Sequence, residues 1–355
     1  MAKLLMKGNE AIAEAAILCG CRYFFGYPIT PQNQIPEYMS KRLPKIGGCF
    51  LQAESEVAAI NMVYGAASAG GRVMTSSSSP GISLKQEGIS YIVGAELPCV
   101  IVNMVRGGPG LGGIQPAQSD YFQATRGGGH GDYRMPVLAP ANVQEAVELT
   151  QLAFDLADQY RNPAMILGDG MLGQVIEPVD MTPIQKRDLP PKTWATTGWD
   201  GSCPRNISNS LYIDPADLEK VNLRLQAKYA EIEKNETMVE CIDCEDADIL
   251  LVAYGTMARI SRRAAQDAGR ELGLKVGLVR PITLWPFPTQ ALRDAAAQPS
   301  VKRVISVEMS LGQMIDDVRI AVNGQKEVSF FGRTGGMVPT VREIVNHLAA
   351  IKEGM

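Results

Sequence analysis

The chain lacks most of what would mark a secreted, membrane-bound, metal-centred or nucleic-acid-binding protein. No apolar run approaches the ~20 residues of a membrane span. Lys3, Lys7, Glu10 and Glu14 leave no apolar core for a signal peptide, so a cytoplasmic chain without a membrane partner is expected. No Lys/Arg cluster builds a basic face and the net charge is -4, which argues against nucleic acid as a partner. The seven cysteines are odd in number and scattered, and read as reduced thiols. Cys241-x-x-Cys244 is the close pair with ligand-like spacing, but no second pair or ferredoxin-type cysteine run accompanies it. Zinc and iron-sulfur sites are therefore not expected on this polypeptide.

What is present suits an α/β protein. The 355 residues suffice for two domains, and 46% hydrophobic against 20% charged residues is ordinary for a globular chain. Strand and helix patterns alternate to about residue 185, which predicts a doubly wound parallel sheet. Four apolar runs in the first 106 residues end in polar groups at a turn: Thr30, the Glu54/Glu56 pair, Ser76 to Ser79, and Arg106. In an open parallel sheet the ligand crevice lies beyond the carboxyl ends of the strands, so these residues are expected along one edge. Thr30 is placed as a helix N-cap with Pro31 as the first helical residue, a terminus suited to an anion. Gly48 to Ala53 reads as a buried strand, and the small, apolar helix Val57 to Ala69 as buried on most faces.

Tyr27-Pro28-Ile29-Thr30-Pro31, then Ser55-Glu56-Val57-Ala58-Ala59-Ile60 and Val63-Tyr64-Gly65-Ala66, with Asn142-Val143-Gln144-Glu145-Ala146 further on, resemble the pyrimidine-binding (alpha-type) subunits of the thiamine diphosphate-dependent 2-oxoacid:ferredoxin oxidoreductases. The resemblance covers residues 5 to about 185 strongly and the last hundred or so in fold. It implies a pyrimidine-type thiamine diphosphate domain over 1–190, a linker or excursion with one helix over 191–246, and a smaller α/β domain over 247–355 like the transketolase C-terminal domain. Gly168-Asp169-Gly170 resembles the start of the magnesium and diphosphate motif, but the later asparagine pair is missing. Asp169 is read as a turn residue. The cofactor is then shared with a beta subunit that holds the diphosphate and Mg2+. A gamma subunit and a ferredoxin-like subunit would complete the assembly, with iron-sulfur clusters on partners only and ferredoxin, coenzyme A and the 2-oxoacid as reactants.

The resemblance makes Glu56 the catalytic carboxyl, hydrogen-bonded to N1' of the aminopyrimidine, and Thr30 and Arg106 the substrate contacts. An arginine at a strand end can pair bidentately with a 2-oxoacid carboxylate. Pro28, Ile29, Ser78 and Ser79 are expected beside the cofactor, His130 and Tyr64 are possible further contacts, and no metal ligand is assigned. Gln32-Asn33 and Tyr64 depart from the pyruvate-type pattern. Gln32-Asn33, Glu54-Ser55-Glu56 and Gly107-Gly108-Pro109-Gly110 look most like the branched-chain (2-oxoisovalerate) enzymes; the 2-oxoglutarate enzymes are the alternative, with Arg126 or Arg134 available for a second carboxylate. Remoter alternatives are the beta subunit of an NAD-linked branched-chain dehydrogenase complex and a non-catalytic assembly subunit.

The glycine run Gly107 to Gly113 is broken by Pro109 and reads as a close-approach loop rather than a dinucleotide fingerprint. Asp214 is expected to cap a helix from Pro215, with Leu218, Val221, Leu225 and Ile232 on one face packed on a partner. The Gly255-Thr256 turn is read as part of a scaffold.

Overall fold

The computed structural model describes residues 3–182, 187–202 and 204–354. Its larger sheet has seven strands in the order Thr283–Trp285, Val137–Leu138, Pro163–Asp169, Cys99–Val105, Val73–Ser77, Tyr23–Gly26 and Cys49–Gln52. Neighbours are parallel except for the antiparallel pair of Thr283–Trp285 with Val137–Leu138. The three central strands are buried at every residue, which is why they read as nearly continuous apolar runs: helices cover both faces of a parallel sheet. The smaller sheet runs Glu327–Gly332, Arg303–Glu308, Ile249–Val252, Val276–Pro281 and Val239–Ile242, the last antiparallel. Gln118 joins the two parts: its amide Nε2 donates to the Tyr254 carbonyl at 3.0 Å, and its Oε1 accepts from the Met309 N–H at 3.0 Å.

Several local expectations are corrected. Thr30 is not an N-cap and Pro31 is not helical, because the helix starts only at Gln34. Cys49–Gln52 is an exposed edge strand rather than a buried one. The helix Glu56–Ser68 buries one side, while Val57, Asn61 and Gly65 face outward; its small residues do not pack within this chain on that side. Asp169 is more than a turn residue: it caps Gly170–Gln174, accepting from the Met171 and Leu172 N–H groups, and its carboxyl also bonds the Thr256 side chain. Burial raises the Asp169 carboxyl above its ordinary range against those hydrogen bonds.

The stretch after residue 190 packs on its own chain. Asp214 does cap the helix Pro215–Glu236, and Val221, Leu225, Tyr229 and Ile232 are buried, but Leu218 is 41% exposed. Tyr229 meets Trp285 edge-on with ring centroids 5.8 Å apart, and Arg224 and Lys228 pair with Glu96. Val239–Ile242, inside the expected linker, belongs to the smaller sheet, whereas Thr283–Trp285, inside the expected second domain, belongs to the larger one. Six cysteines are free thiols and Cys203 lies outside the described residues. No group of side chains suited to a metal ion occurs among the described residues, and no helix is long and apolar enough to cross a membrane.

Candidate active site

Three parallel strands deliver their carboxyl ends to one edge. Tyr23–Gly26 leads into exposed Tyr27 and Pro28 and half-buried Ile29 and Thr30; Val73–Ser77 leads into Ser78 and Ser79; Cys99–Val105 leads into Arg106. Beside them, Ser55 caps the helix Glu56–Ser68 by accepting from the Ala58 N–H at 3.2 Å. That cap puts Glu56 in the first helical turn, where the exposed amide dipoles favour a carboxylate. Glu56 is 7% exposed.

Gly81, in the first turn of the helix Ser79–Gly94, makes room for that carboxyl. A Cβ there would lie 2.6 Å from Glu56 Oε1 and 2.1 Å from Ser77 Oγ, so glycine is required by close approach. The Ser77 and Ser78 hydroxyls are buried without a hydrogen-bond partner. No hydrogen bond reaches the Glu56 carboxylate among the described residues. Buried polar groups are ordinarily paired. A carboxylate and two hydroxyls left open beside a glycine gap fit a flat heteroaromatic amine, such as an aminopyrimidine, that supplies both donors and acceptors.

Arg106 is 8% exposed. Its guanidinium donates to the Thr30 carbonyl at 3.0 Å and to the Leu111 carbonyl at 3.1 Å, while its Nε has no partner. It therefore ties the Thr30 turn to the glycine-rich loop, which Gly113 closes by donating to the Gly107 carbonyl at 2.8 Å. Ser79 Oγ accepts from the Arg106 N–H at 3.1 Å. Ser79 also has φ of 22°, a backbone setting that costs on the order of 1 kcal/mol or more and tends to collect at functional sites. Its N–H donates to Asn103 Oδ1, and Asn103 donates to Asp120.

The structure thus gathers Thr30, Glu56, Ser78, Ser79 and Arg106, with Pro28 and Ile29 on the adjoining turn. It does not bring His130 or Tyr64 to them. His130 lies edge-on to Tyr91 and its carbonyl accepts from Ser90 Oγ, about 16 Å along the helix from Ser79 at the ordinary helical rise. Tyr64 sits eight residues beyond Glu56 in the helix, about 12 Å away, and bonds Ser210. Each lies at or beside the far end of a helix, away from the strand termini.

Two buried polar residues beside the site were not assigned to it from the sequence. Gln32, fully buried, accepts from Ser76 Oγ at 2.5 Å and pins the Tyr27 to Thr30 turn to the neighbouring strand end. Lys85, also fully buried, donates to Thr75 Oγ1 at 3.2 Å. Burial pushes the Lys85 ammonium down to about 8, with the Glu56 charge acting in the opposite direction. Its signal was available: Ile82, Lys85 and Ile89 share helical spacing, so the lysine lies on the buried face.

Comparison with known proteins identifies the family of this edge. Residues 14–240 match the family described as pyruvate flavodoxin/ferredoxin oxidoreductase, thiamine diP-binding. Residues 247–344 match pyruvate:ferredoxin oxidoreductase core domain II. The ketoisovalerate oxidoreductase subunit VorB of Methanothermobacter thermautotrophicus is 49% identical over 99% of this chain and 98% of its own length. The 2-oxoglutarate synthase subunit KorA of the same organism is 37% identical over 96% of both chains, and the pyruvate synthase subunit PorA of Pyrococcus abyssi 27% over 99% of this chain and 94% of its own. The solved 2-oxoglutarate:ferredoxin oxidoreductase of Magnetococcus marinus, with 2-oxoglutarate, coenzyme A and succinyl-CoA bound, superimposes with a TM-score of 0.87 at 29% identity, over 98% of this chain and 65% of that one. A split-gene transketolase, at 14% identity and a TM-score of 0.60, shares the fold. The chain belongs to the 2-oxoacid:ferredoxin oxidoreductase family, and its first two thirds carry the thiamine diphosphate-binding part.

Proposed function

We propose that this chain supplies the pyrimidine-binding half of the cofactor site in a coenzyme A-dependent oxidoreductase that converts 3-methyl-2-oxobutanoate to its acyl-CoA and carbon dioxide, reducing ferredoxin. The carrying observation is the buried Glu56 carboxylate, open to a hydrogen bond at the Gly81 gap. Thiamine diphosphate, when bound, supplies the electron sink that decarboxylation of a 2-oxoacid requires. Glu56 would hold a proton at a ring nitrogen of the cofactor, and Ser77 and Ser78 would offer hydroxyls to the same ring. Thr30 and Arg106 orient the substrate carboxylate, with the Arg106 backbone held from below by Ser79.

The branched-chain substrate is supported by the 49% identity to VorB against 37% to KorA. It is supported further by the partners of Arg126 and Arg134, the cations that a second carboxylate would call on. Arg126 pairs with Asp317 at 2.9 Å, and Arg134 donates to the Arg126 and Tyr133 carbonyls. Both cations already hold partners within this chain. Tyr27, Leu51, Val57, Leu84, Leu111 and Ile114 are all exposed apolar side chains around the site, and a patch of that kind suits a partner subunit. The beta subunit with the diphosphate and Mg2+, the gamma and ferredoxin-like subunits, the clusters they carry and a cytoplasmic location belong to this reading.

The test is Glu56→Gln in the assembled complex. Hydrogen-deuterium exchange at the cofactor C2 should fall by two orders of magnitude or more, about 3 kcal/mol, with assembly intact. An unchanged rate would make Glu56 structural. A 2-oxoacid panel with coenzyme A and a low-potential dye assigns the substrate, and a preference for 2-oxoglutarate would overturn the branched-chain reading.

A further inference from the structure

Lys85 has no role in the site as described so far, yet the fold goes to some length to bury it there. On the helix Ser79–Gly94, positions 81, 85 and 88 form one stripe, since residues four and seven apart share a helical face. That stripe packs on the helix Glu56–Ser68 through its two glycines. Gly81 lies against Glu56, and a Cβ at Gly88 would come within 2.4 Å of Ile60 Cγ2. Lys85 lies between these two glycines on the stripe, one turn after Gly81, and its Nζ reaches Thr75 Oγ1 on the strand Val73–Ser77.

Its surroundings give an ammonium little else to hold. Thr75 Oγ1 donates its hydrogen to the Phe25 carbonyl at 2.7 Å and presents a lone pair to Lys85 Nζ. No carboxylate lies within ion-pair distance of Lys85 among the described residues. Of the groups on the elements packed around it, Glu56 is the charged one that acts on it. A buried ammonium with one neutral partner is costly, and an apolar residue would fill the space without that cost. Met or Leu at this position would satisfy packing alone.

Resting on the assignment of Glu56 above, we infer that Lys85 is a positioning residue for cofactor activation, a buried cation one helical turn from the Gly81 contact with Glu56 that biases the proton shared with the aminopyrimidine toward the ring. The ammonium stabilises the Glu56 anion through a low-dielectric interior, where a charge acts over more than contact distance. Thr75 fixes the ammonium and prevents direct closure onto Glu56, which would remove the carboxylate from the ring.

The experiment is a double-mutant cycle on the assembled complex, with Lys85→Met, Glu56→Gln and both together. Thiamine diphosphate affinity of the apo complex is read by fluorescence titration, and C2 exchange is read on the loaded one. Lys85→Met should lower exchange by about tenfold or more and weaken cofactor binding, yet add nothing in the Glu56→Gln background. The wild-type exchange profile should also bend downward above pH about 8 as Lys85 loses its proton, a limb absent from Lys85→Met. Equal losses in both backgrounds would mean Lys85 acts through packing, and an unchanged rate would remove it from the site; either overturns the inference. If Glu56→Gln itself leaves exchange intact, the underlying assignment fails first and takes this one with it. Should Lys85→Met not assemble, Thr75→Val leaves the lysine in place but unanchored. A fall in exchange that vanishes in the Glu56→Gln background then supports the inference, and unchanged exchange overturns it.

Discussion

At the scale of single residues, Gly81 and Arg106 separate local preference from site requirement. Alanine favours a helix over glycine by about 1 kcal/mol, but at position 81 its Cβ must displace Ser77 Oγ and the Glu56 carboxyl. Gly81→Ala should therefore leave thermal stability near or below that of the parent while weakening thiamine diphosphate binding about tenfold or more. Unchanged binding in a titration would show that the carboxyl has somewhere else to go. Arg106 does two things at once: it holds the Thr30 and Leu111 carbonyls and is proposed to meet substrate. Arg106→Met keeps the stem and removes the fork, whose hydrogen bonds to a carboxylate are worth about 1.5–3 kcal/mol. The expected result is a ten- to hundredfold loss, roughly, in kcat/KM for every 2-oxoacid, with C2 exchange in the absence of substrate retained. A parallel loss of exchange would assign Arg106 to the loop and cofactor pocket instead.

At the scale of elements, the helix Pro215–Glu236 shows how a segment that looks like a linker is held down. Its buried face supplies the apolar contact, and Glu96 supplies the polar one, pairing with Lys228 at 2.7 Å and Arg224 at 2.5 Å. Burial alone would raise the Glu96 carboxyl, but Lys228 and then Arg224 outweigh it and hold the group below its ordinary range. A depressed carboxylate contributes stability that is present above its unfolded-state value and lost as pH falls through its folded-state value, so this docking should weaken only in acid, below about pH 4.5. Glu96→Gln leaves Lys228 largely buried without its counter-charge, at a cost of about 1–3 kcal/mol. Amide hydrogen exchange across Pro215–Glu236 should rise accordingly, and protection equal to the parent's would show that the apolar face suffices.

At the scale of the whole molecule, the proposed active edge is also where the chain is least finished. The edge strand Cys49–Gln52, the outer side of Glu56–Ser68 and the glycine-rich loop are exposed together, and the proposed pyrimidine pocket has no diphosphate motif beside it in the sequence. A cofactor held at one end binds weakly, because half of its contacts are missing. The isolated chain should show no 2-oxoacid-dependent dye reduction and regain it only with its partner subunits. Turnover by the purified chain alone would refute the shared-site reading.

Read from sequence alone, the α/β class, the strand endings and the identities of Thr30, Glu56 and Arg106 were all accessible. The roles of Thr30, Glu56 and Arg106 rest on the family resemblance, while the class and the strand endings rest on local signals: apolar runs of strand length and the turn residues after them. Those signals act over a few residues and survive without knowledge of neighbours. Exposure did not follow in the same way. Cys49–Gln52 and the outer side of Glu56–Ser68 carry apolar residues suited to burial, but only the strand order and helix orientation decide what covers them, and among the described residues nothing does. Tyr64 stays away from the site because only the orientation of the helix Glu56–Ser68 shows that its far end leaves the strand termini, and His130 because its loop packs on Tyr91 and Ser90 at the far end of another helix. Lys85 belongs to tertiary structure as well: its spacing marks a buried face, but that this face meets Glu56 follows only from the packing of two helices against each other through Gly81 and Gly88, where the missing side chains bring the backbones close enough for one charge to act on the other.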